Sequence, residues 1–366
     1  MKNIQDSPLY EEDIMDILKN DIPFTKLFNS NIIVSGSTGL IGTLFVDVLM
    51  SLNRDENAHI RIIALCRNYP RAVELFAKYK DNPFLTIISH DINNPLESLP
   101  IVDTVDYIVH MASNTHPLDY SQDPIGTITA NVIGTKNMLD FAVEHKTKRF
   151  LFTSSNEIYG ENRGDVTLFD ENYCGYINSN TLRAGYPESK RCGESLCQAY
   201  KKQKNLDISI ARLTRSYGAT LKHDDSKAMS QFLKKAVAGE DIVLKSQGDQ
   251  LYSYTYVSDA VAGLFYVLLC GKNGEAYNIA DGRYDKRLKE IAEILATLAN
   301  TKVIYDLPTA TEKEGFSKVV NAQLSGEKIG LLGWKMKYDI ESGLQKTYAL
   351  MKELNNYNDE SSTNNA

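Results

Sequence analysis

Asn31-Ile32-Ile33-Val34-Ser35-Gly36-Ser37-Thr38-Gly39-Leu40-Ile41-Gly42 is an apolar run that breaks into three glycines spaced G-x-x-G-x-x-G. Behind it, Leu44, Phe45, Val48 and Leu49 recur at helical spacing. The stretch predicts a strand, a tight turn and a helix. Small residues in such a turn let the backbone approach a pyrophosphate, and the N–H groups of the helix N-terminus then face that anion. The expected cradle is Gly36, Ser37, Thr38, Gly39, Leu40, Ile41 and Gly42. A lone glycine triplet is weak evidence, so the rest of the chain has to agree with it.

Short strand patterns recur along the chain at Ile62-Ile63-Ala64-Leu65, Leu85-Thr86-Ile87-Ile88, Tyr107-Ile108-Val109, Phe150-Leu151-Phe152-Thr153 and Ile208-Ser209-Ile210-Ala211, with helical patterns between most of them. That alternation predicts an α/β fold, a Rossmann-type doubly wound parallel sheet with a smaller C-terminal substrate-binding lobe, and ligands at the carboxyl ends of the strands. The expected division is a helical N-terminal extension over 1–30, whose role the sequence does not reveal, and a dinucleotide-binding domain over 31–215. A substrate lobe follows over 216–350, with 250–280 returning to the first domain. Ile14, Met15, Ile17 and Leu18 give the extension an apolar side, and the polar, aperiodic stretch 351–366 predicts a disordered tail.

Composition narrows the classes. With 366 residues and 43% hydrophobic content the chain can bury a large core. Its net charge of −7 argues against a general nucleic-acid binder, so an anionic ligand must be met by local cations. No apolar run is long enough to span a bilayer and the N-terminus is acidic and polar, which predicts a cytoplasmic protein without membrane insertion. The five cysteines form no C-x-x-C pair and no cluster with the six histidines, so neither a metal site nor a disulfide framework is expected.

About 150 residues after the glycine turn comes Tyr186-Pro187-Glu188-Ser189-Lys190. A Tyr and a Lys four apart on a helix lie on one face, one turn apart. A phenol titrates near ~10, and an ammonium held close, helped by a positive nicotinamide ring, favours phenolate and makes a base. By chance alone this spacing marks a solvated helix face; behind the glycine turn it points to catalysis.

At the end of the second strand, where a free ribose 2′-hydroxyl is usually met by a carboxylate, stand Cys66-Arg67-Asn68. Arg67 suits a 2′-phosphate or stacks on adenine, so both NAD and NADP remain open. Asp91 and Ile92 after the third strand are placed against the adenine amino group. His110-Met111-Ala112-Ser113 after the fourth pass beside the nicotinamide ribose, with His110 as a strand-end packing residue the plainer alternative.

The glycine turn, His110-Met111-Ala112-Ser113, Asn131-Val132-Ile133-Gly134-Thr135, Thr153 to Gly160, Tyr186 to Lys190, and Tyr256-Val257-Ser258-Asp259 resemble, in order, the extended short-chain dehydrogenase/reductase family acting on nucleotide sugars. The resemblance covers roughly residues 30 to 345. It is nearest to UDP-glucuronate decarboxylases through Pro117-Leu118-Asp119-Tyr120, Asp123-Pro124, and Asn178 through Arg183. It implies a bound nicotinamide that oxidises a sugar carbon, usually C4, to a transient ketone. Tyr186 matches the base, Lys190 the residue that binds the nicotinamide ribose and holds the tyrosine ionised, and Ser155 the hydroxyl donor beside the substrate oxygen. Ala112, Ser113 and Asn131 fall with the cofactor, and Asn156, Arg183, Arg215 and Tyr252 with the substrate. The helices near 124–144 and 186–204 form a homodimer interface in relatives, although apolar faces alone do not distinguish that from core.

Glu157 separates the reactions incompletely. In this family 4,6-dehydratases carry Asp-Glu and decarboxylases Ser-Glu where this chain has Asn156-Glu157, and simple 4-epimerases lack the acid. The missing Asp counts against dehydration. Tyr252 stands where decarboxylases have a substrate-binding arginine, and Arg215 replaces their usual asparagine, so a cation is lost at one wall and gained at another; as a plain alternative, Arg215 forms a surface ion pair. The first reading is an epimerase/dehydratase-type nucleotide-sugar enzyme serving cell-surface polysaccharide, with UDP-glucuronate expected to be a poor substrate. UDP-glucuronate decarboxylase, NADPH-dependent ketosugar reductase and a non-catalytic nucleotide-sugar or dinucleotide sensor are the alternatives. The sensor is disfavoured by the presence of Ser155, Tyr186 and Lys190 together.

Overall fold

The computed structural model describes residues 3–96, 104–115, 122–221, 225–307 and 321–363, with side chains to residue 355. Its strands are β1 Asn31–Ser35, β2 Arg61–Cys66, β3 Leu85–Ser89, β4 Tyr107–His110, β5 Arg149–Ser155, β6 Ile208–Leu213, β7 Arg215–Tyr217, β8 Ile242–Leu244, β9 Leu251–Tyr252, β10 Tyr254–Tyr256, β11 Ala276–Ile279, β12 Lys286–Arg287, β13 Val303–Tyr305 and β14 Asn321–Ala322. The helices are α1 Pro8–Leu18, α2 Leu40–Glu56, α3 Tyr69–Leu75, α4 Pro124–Thr129, α5 Thr135–Glu144, α6 Gly185–Lys204, α7 Ala228–Val237, α8 Val257–Cys270, α9 Leu288–Ala299, α10 Glu327–Gly330 and α11 Ile340–Thr363.

Seven strands form one parallel sheet in the order β11-β6-β5-β4-β1-β2-β3. The chain leaves β1 toward β2 and β3 on one side, then crosses back to β4, β5 and β6 on the other. The crevice outside the carboxyl ends of β1 and β4 is therefore the switch point where such sheets bind ligands. Both faces are covered, which is why β1 and β4 read as unbroken apolar runs. On one face Phe45 of α2 stacks on Phe265 of α8 with ring centroids 4.2 Å apart. On the other, Met138, Leu139 and Phe141 of α5 and Cys197 of α6 pack with Ile33, Ile108, Phe150 and Ile208.

The N-terminal extension is part of this core. Its buried apolar side is Tyr10, Ile14 and Ile17, whereas Met15 is exposed, a departure from the simple apolar stripe. Gln5 and Tyr10 each donate to the buried Asp47 carboxylate of α2 at 2.7 Å. Asp13 accepts from the Tyr256 hydroxyl at 2.7 Å and pairs with Lys346 of α11 at 2.8 Å. The extension thus joins the helix behind the glycine turn to the last helix of the chain. That last helix also runs on through Asn355 to Thr363, where polar composition predicts no regular structure. A helix already anchored by buried Leu344 and Leu350 needs no apolar face to propagate further turns.

Smaller sheets build the substrate side. β7 pairs with β10, β9 lies between β12 and β14, and β8 pairs with β13. Among the described residues no helix is long and apolar enough to cross a membrane, and all five cysteines are free.

Candidate active site

Strand, turn and helix at the start of the sheet form as the glycines dictate. Gly36 sits at φ +72°, and a Cβ there would lie 2.8 Å from the Ala112 backbone nitrogen. A Cβ on Gly42 would fall 2.2 Å from the Gly36 carbonyl oxygen. These two glycines are demanded by the fold itself. Gly39 differs: it caps α2 with no side-chain hydrogen bond, at φ −84°, where any residue is comfortable. Its smallness leaves the open N–H groups of α2 accessible, which fits a pyrophosphate. Thr38, Leu40 and Ile41 are partly buried around this turn. Ser37 is fully buried and donates to the Leu65 carbonyl at 3.0 Å, so only its backbone is left for a phosphate.

The other residues expected around a dinucleotide lie at neighbouring strand ends. Arg67 is exposed after β2, with Nη2 donating to Asn114 Oδ1 at 3.1 Å. Asp91 is exposed after β3 and accepts from the backbone and side chain of Asn93. Ile92 is buried beneath, where a Cβ on Gly134 would strike its Cδ1 at 2.6 Å. Ala112 donates its backbone N–H to Ser35 Oγ at 3.2 Å. His110 takes the packing role: Nδ1 lies 2.7 Å from Ser35 Oγ and Nε2 3.1 Å from Thr135 Oγ1. Burial, seconded by the Lys190 charge, pushes its pKa down to about 3, so it is a neutral strut between β1, β4 and α5.

A single turn of π-helix, Ala130–Gly134, separates α4 from α5 and carries the buried Asn131 inward. Such turns recur at functional sites because the extra residue redirects a side chain. Asn131 Oδ1 accepts from Ser113 Oγ at 2.7 Å, and its amide donates to Ser189 Oγ at 2.9 Å. Ser189 in turn donates to the Tyr186 carbonyl at 2.9 Å. The Tyr186 hydroxyl is hydrogen-bonded to both Ser155 and Ser113. Ser113, expected only beside the cofactor, therefore also touches the phenol. Ser189 was not singled out from the sequence, although its place between Tyr186 and Lys190 on α6 is the available signal.

Tyr186 is buried, and desolvation followed by the Glu157 charge raises its pKa well above the usual phenol value, with Ser155, Arg183 and Ser113 opposing. Lys190 lies on the same helix face as expected, but its ammonium donates to the Thr153 carbonyl at 2.9 Å and sits 5.1 Å above the Phe152 ring. Burial pushes it down to about 8. Burial and the Glu157 charge thus favour the protonated phenol, and the lysine expected to oppose them turns its ammonium to the Thr153 carbonyl. A positive nicotinamide ring would add a charge that favours phenolate.

The substrate candidates fall into two groups. Ser155 caps the turn Asn156–Tyr159 by accepting the Glu157 N–H at 3.2 Å, and Asn156 is buried within it. The Glu157 carboxylate accepts from Arg183 Nη2 at 2.7 Å beside Tyr186. Arg215 and Tyr252, the two departures from the decarboxylase pattern, meet each other: the guanidinium carbon lies 3.5 Å from the Tyr252 ring centroid. No carboxylate among the described residues pairs with Arg215, which removes the surface ion-pair alternative there. Among the described residues no cluster of His, Cys, Asp and Glu could hold a metal ion.

Known proteins resemble this chain in sequence and in fold. The model of the NAD dependent epimerase/dehydratase family matches residues 32–280. UDP-glucuronic acid decarboxylase 3 of Arabidopsis thaliana is 32% identical over 317 residues, covering 86% of this chain and 87% of its own. UDP-glucuronic acid decarboxylase 1 of Danio rerio is 31% identical over 319 residues, covering 86% of this chain and 71% of its own. Among solved structures, the NAD-bound dTDP-glucose 4,6-dehydratase DesIV of Streptomyces venezuelae superposes with a TM-score of 0.76 at 24% identity, covering 89% of this chain and 98% of that one. The UDP-glucuronic acid 4-epimerase of Bacillus cereus gives a TM-score of 0.74 at 21% identity, covering 88% and 99%.

Proposed function

The chain belongs to the NAD-dependent epimerase/dehydratase family, and from that premise we propose that it oxidises one carbon of a nucleotide sugar, C4 by family resemblance, to a transient ketone with Tyr186 as the base. The observation that carries this reading is the buried Tyr186 hydroxyl hydrogen-bonded to Ser155 and Ser113 at the carboxyl ends of the sheet. Bound nicotinamide supplies the hydride acceptor. Tyr186 takes the sugar hydroxyl proton as the carbon is oxidised, Ser155 holds the substrate oxygen, and Lys190, oriented by its hydrogen bond to the Thr153 carbonyl, contacts the ribose. Glu157, ionically paired to Arg183 beside Tyr186, is the second proton-handling group.

NAD is the cofactor favoured by the family, with Arg67 able to accept NADP. The protein works in the cytoplasm, in making cell-surface polysaccharide, and as a homodimer; Ile125, Ile128 and Ile133, exposed on and beside α4, support an interface there. Decarboxylation of UDP-glucuronate is the second reading. The curated relatives named above favour it, and so does Arg215, a cation that Tyr252 alone would not provide.

The test is to incubate the purified protein and NAD with UDP-, CDP-, GDP- and dTDP-sugars in deuterated water and follow products by NMR. A neutral nucleotide sugar changing stereochemistry supports the first reading. Rapid formation of a UDP-pentose with carbon dioxide from UDP-glucuronate replaces it with the second, and inertness of every sugar defeats both.

A further inference from the structure

We infer that the Arg215 guanidinium, laid on the ring of Tyr252, is the oxyanion-binding group of the substrate cleft, its partner a phosphate or carboxylate oxygen of the nucleotide sugar. The inference rests on the nucleotide-sugar reading above. Arg215 opens β7 two residues beyond the end of β6, and β6 lies beside β5, whose end carries Ser155 and Glu157. It is therefore placed on the ligand side of the sheet. The 3.5 Å separation from the Tyr252 centroid is the shortest cation–ring contact among the described residues. Tyr252 and Tyr254 are both buried, and Arg215 lies partly buried against the Tyr252 ring.

The decisive feature is a donor without an acceptor. Arg215 Nη1 is buried and has no hydrogen-bond partner among the described residues. An unpaired buried donor on a permanent cation is costly in any protein that gains nothing from it. Asp285, the buried carboxyl that acts on Tyr254, accepts from Gln323 through Oδ2 at 2.9 Å, and its Oδ1, like Arg215 Nη1, has no hydrogen-bond partner among the described residues, so no bond joins the two. A guanidinium held flat against a ring keeps its planar fork oriented for two oxygens, which suits phosphate and carboxylate alike. In a chain of net charge −7 such a local cation is also what an anionic ligand requires.

Arg215 and Arg183 divide the ligand between them. Arg183 is the cation that acts on the Tyr186 phenol and is paired with Glu157, whereas the phenol on which Arg215 acts is Tyr254. Arg215 accordingly binds and orients, while Arg183 belongs to the reacting end.

The experiment is calorimetric titration of wild type, Arg215→Met, Arg215→Lys, Tyr252→Leu and Tyr252→Phe with UDP, dTDP, UDP-glucose and UDP-glucuronate, with NAD affinity and circular dichroism as controls for folding. Arg215→Met is expected to bind roughly 10- to 100-fold more weakly, the loss of a charge-assisted hydrogen bond. Arg215→Lys, which keeps charge without the planar fork, should fall between. Tyr252→Leu should weaken binding more than Tyr252→Phe, which keeps the ring. A loss shared by every ligand assigns the diphosphate as the partner; a loss confined to UDP-glucuronate assigns the sugar carboxylate. Wild-type affinity for all four in folded Arg215→Met overturns the inference. Failure of the wild-type protein to bind any of the four, and CDP- and GDP-sugars as well, instead defeats the nucleotide-sugar reading, and this inference with it.

Discussion

Two of the three glycines in the turn are fixed by the fold and the third is not. Gly36 and Gly42 cannot carry a Cβ without striking backbone, whereas a Cβ on Gly39 lies 3.3 Å from the Gly36 carbonyl and needs only a small adjustment. Gly39→Val should therefore fold, yet weaken NAD binding by more than about tenfold through lost backbone hydrogen bonds to the pyrophosphate. Unchanged NAD affinity by calorimetry would remove the turn from the cofactor site. Arg67 allows a second test: if it holds a 2′-phosphate, Arg67→Ala should cost NADP about 1.5–3 kcal/mol and NAD little. Equal losses, or a wild-type preference for NAD, would leave it bound to Asn114 with another role. The spacing of Tyr186 and Lys190 was legible because helix geometry fixes it; the ammonium's turn toward Thr153 was not, because strand β5 supplies that carbonyl from 37 residues away.

Strands β1 to β6 were legible because each is an apolar run bounded by polar turns, whereas the edge strand β11, Ala-Tyr-Asn-Ile, was not singled out because it is short and interrupted by Asn278. The π-turn at Ala130–Gly134 had no signal, since nothing in Ala-Asn-Val-Ile-Gly distinguishes it from an ordinary helix. Helix α1 was legible as a helix but not as a clasp, because its bonds reach Asp47 and Lys346, far along the chain. Burial pushes the Asp47 carboxyl up to about 7, against hydrogen bonds from Tyr10, Tyr79 and Gln5. A raised carboxyl stabilises the fold fully below its unfolded value of 3.8 and loses that contribution as pH rises through about 7. Urea unfolding should show this component of stability falling between about pH 4 and pH 7, and Asp47→Asn should flatten it. An identical slope in the variant would mean that Asp47 is ionised throughout.

The whole molecule sets the glycine turn after β1 and the Arg215–Tyr252 pair beyond the end of β6, with Tyr186 and Glu157 between them in the chain. Fold class and the family resemblance were legible from motif order, because that order is the order in which the sheet presents strand ends. The exact reaction was not, since it turns on Asn156, Tyr252 and Arg215, whose joint geometry only the folded chain shows. The proposed function depends on the buried tyrosine acting on a sugar hydroxyl. The measurement is therefore the initial rate of Tyr186→Phe beside wild type, by NMR, on whichever nucleotide sugar the wild type converts. Loss of the phenolic hydroxyl should slow turnover by about 10²–10⁴ with NAD affinity retained; a variant within tenfold of wild type would contradict the assignment of Tyr186 as the base.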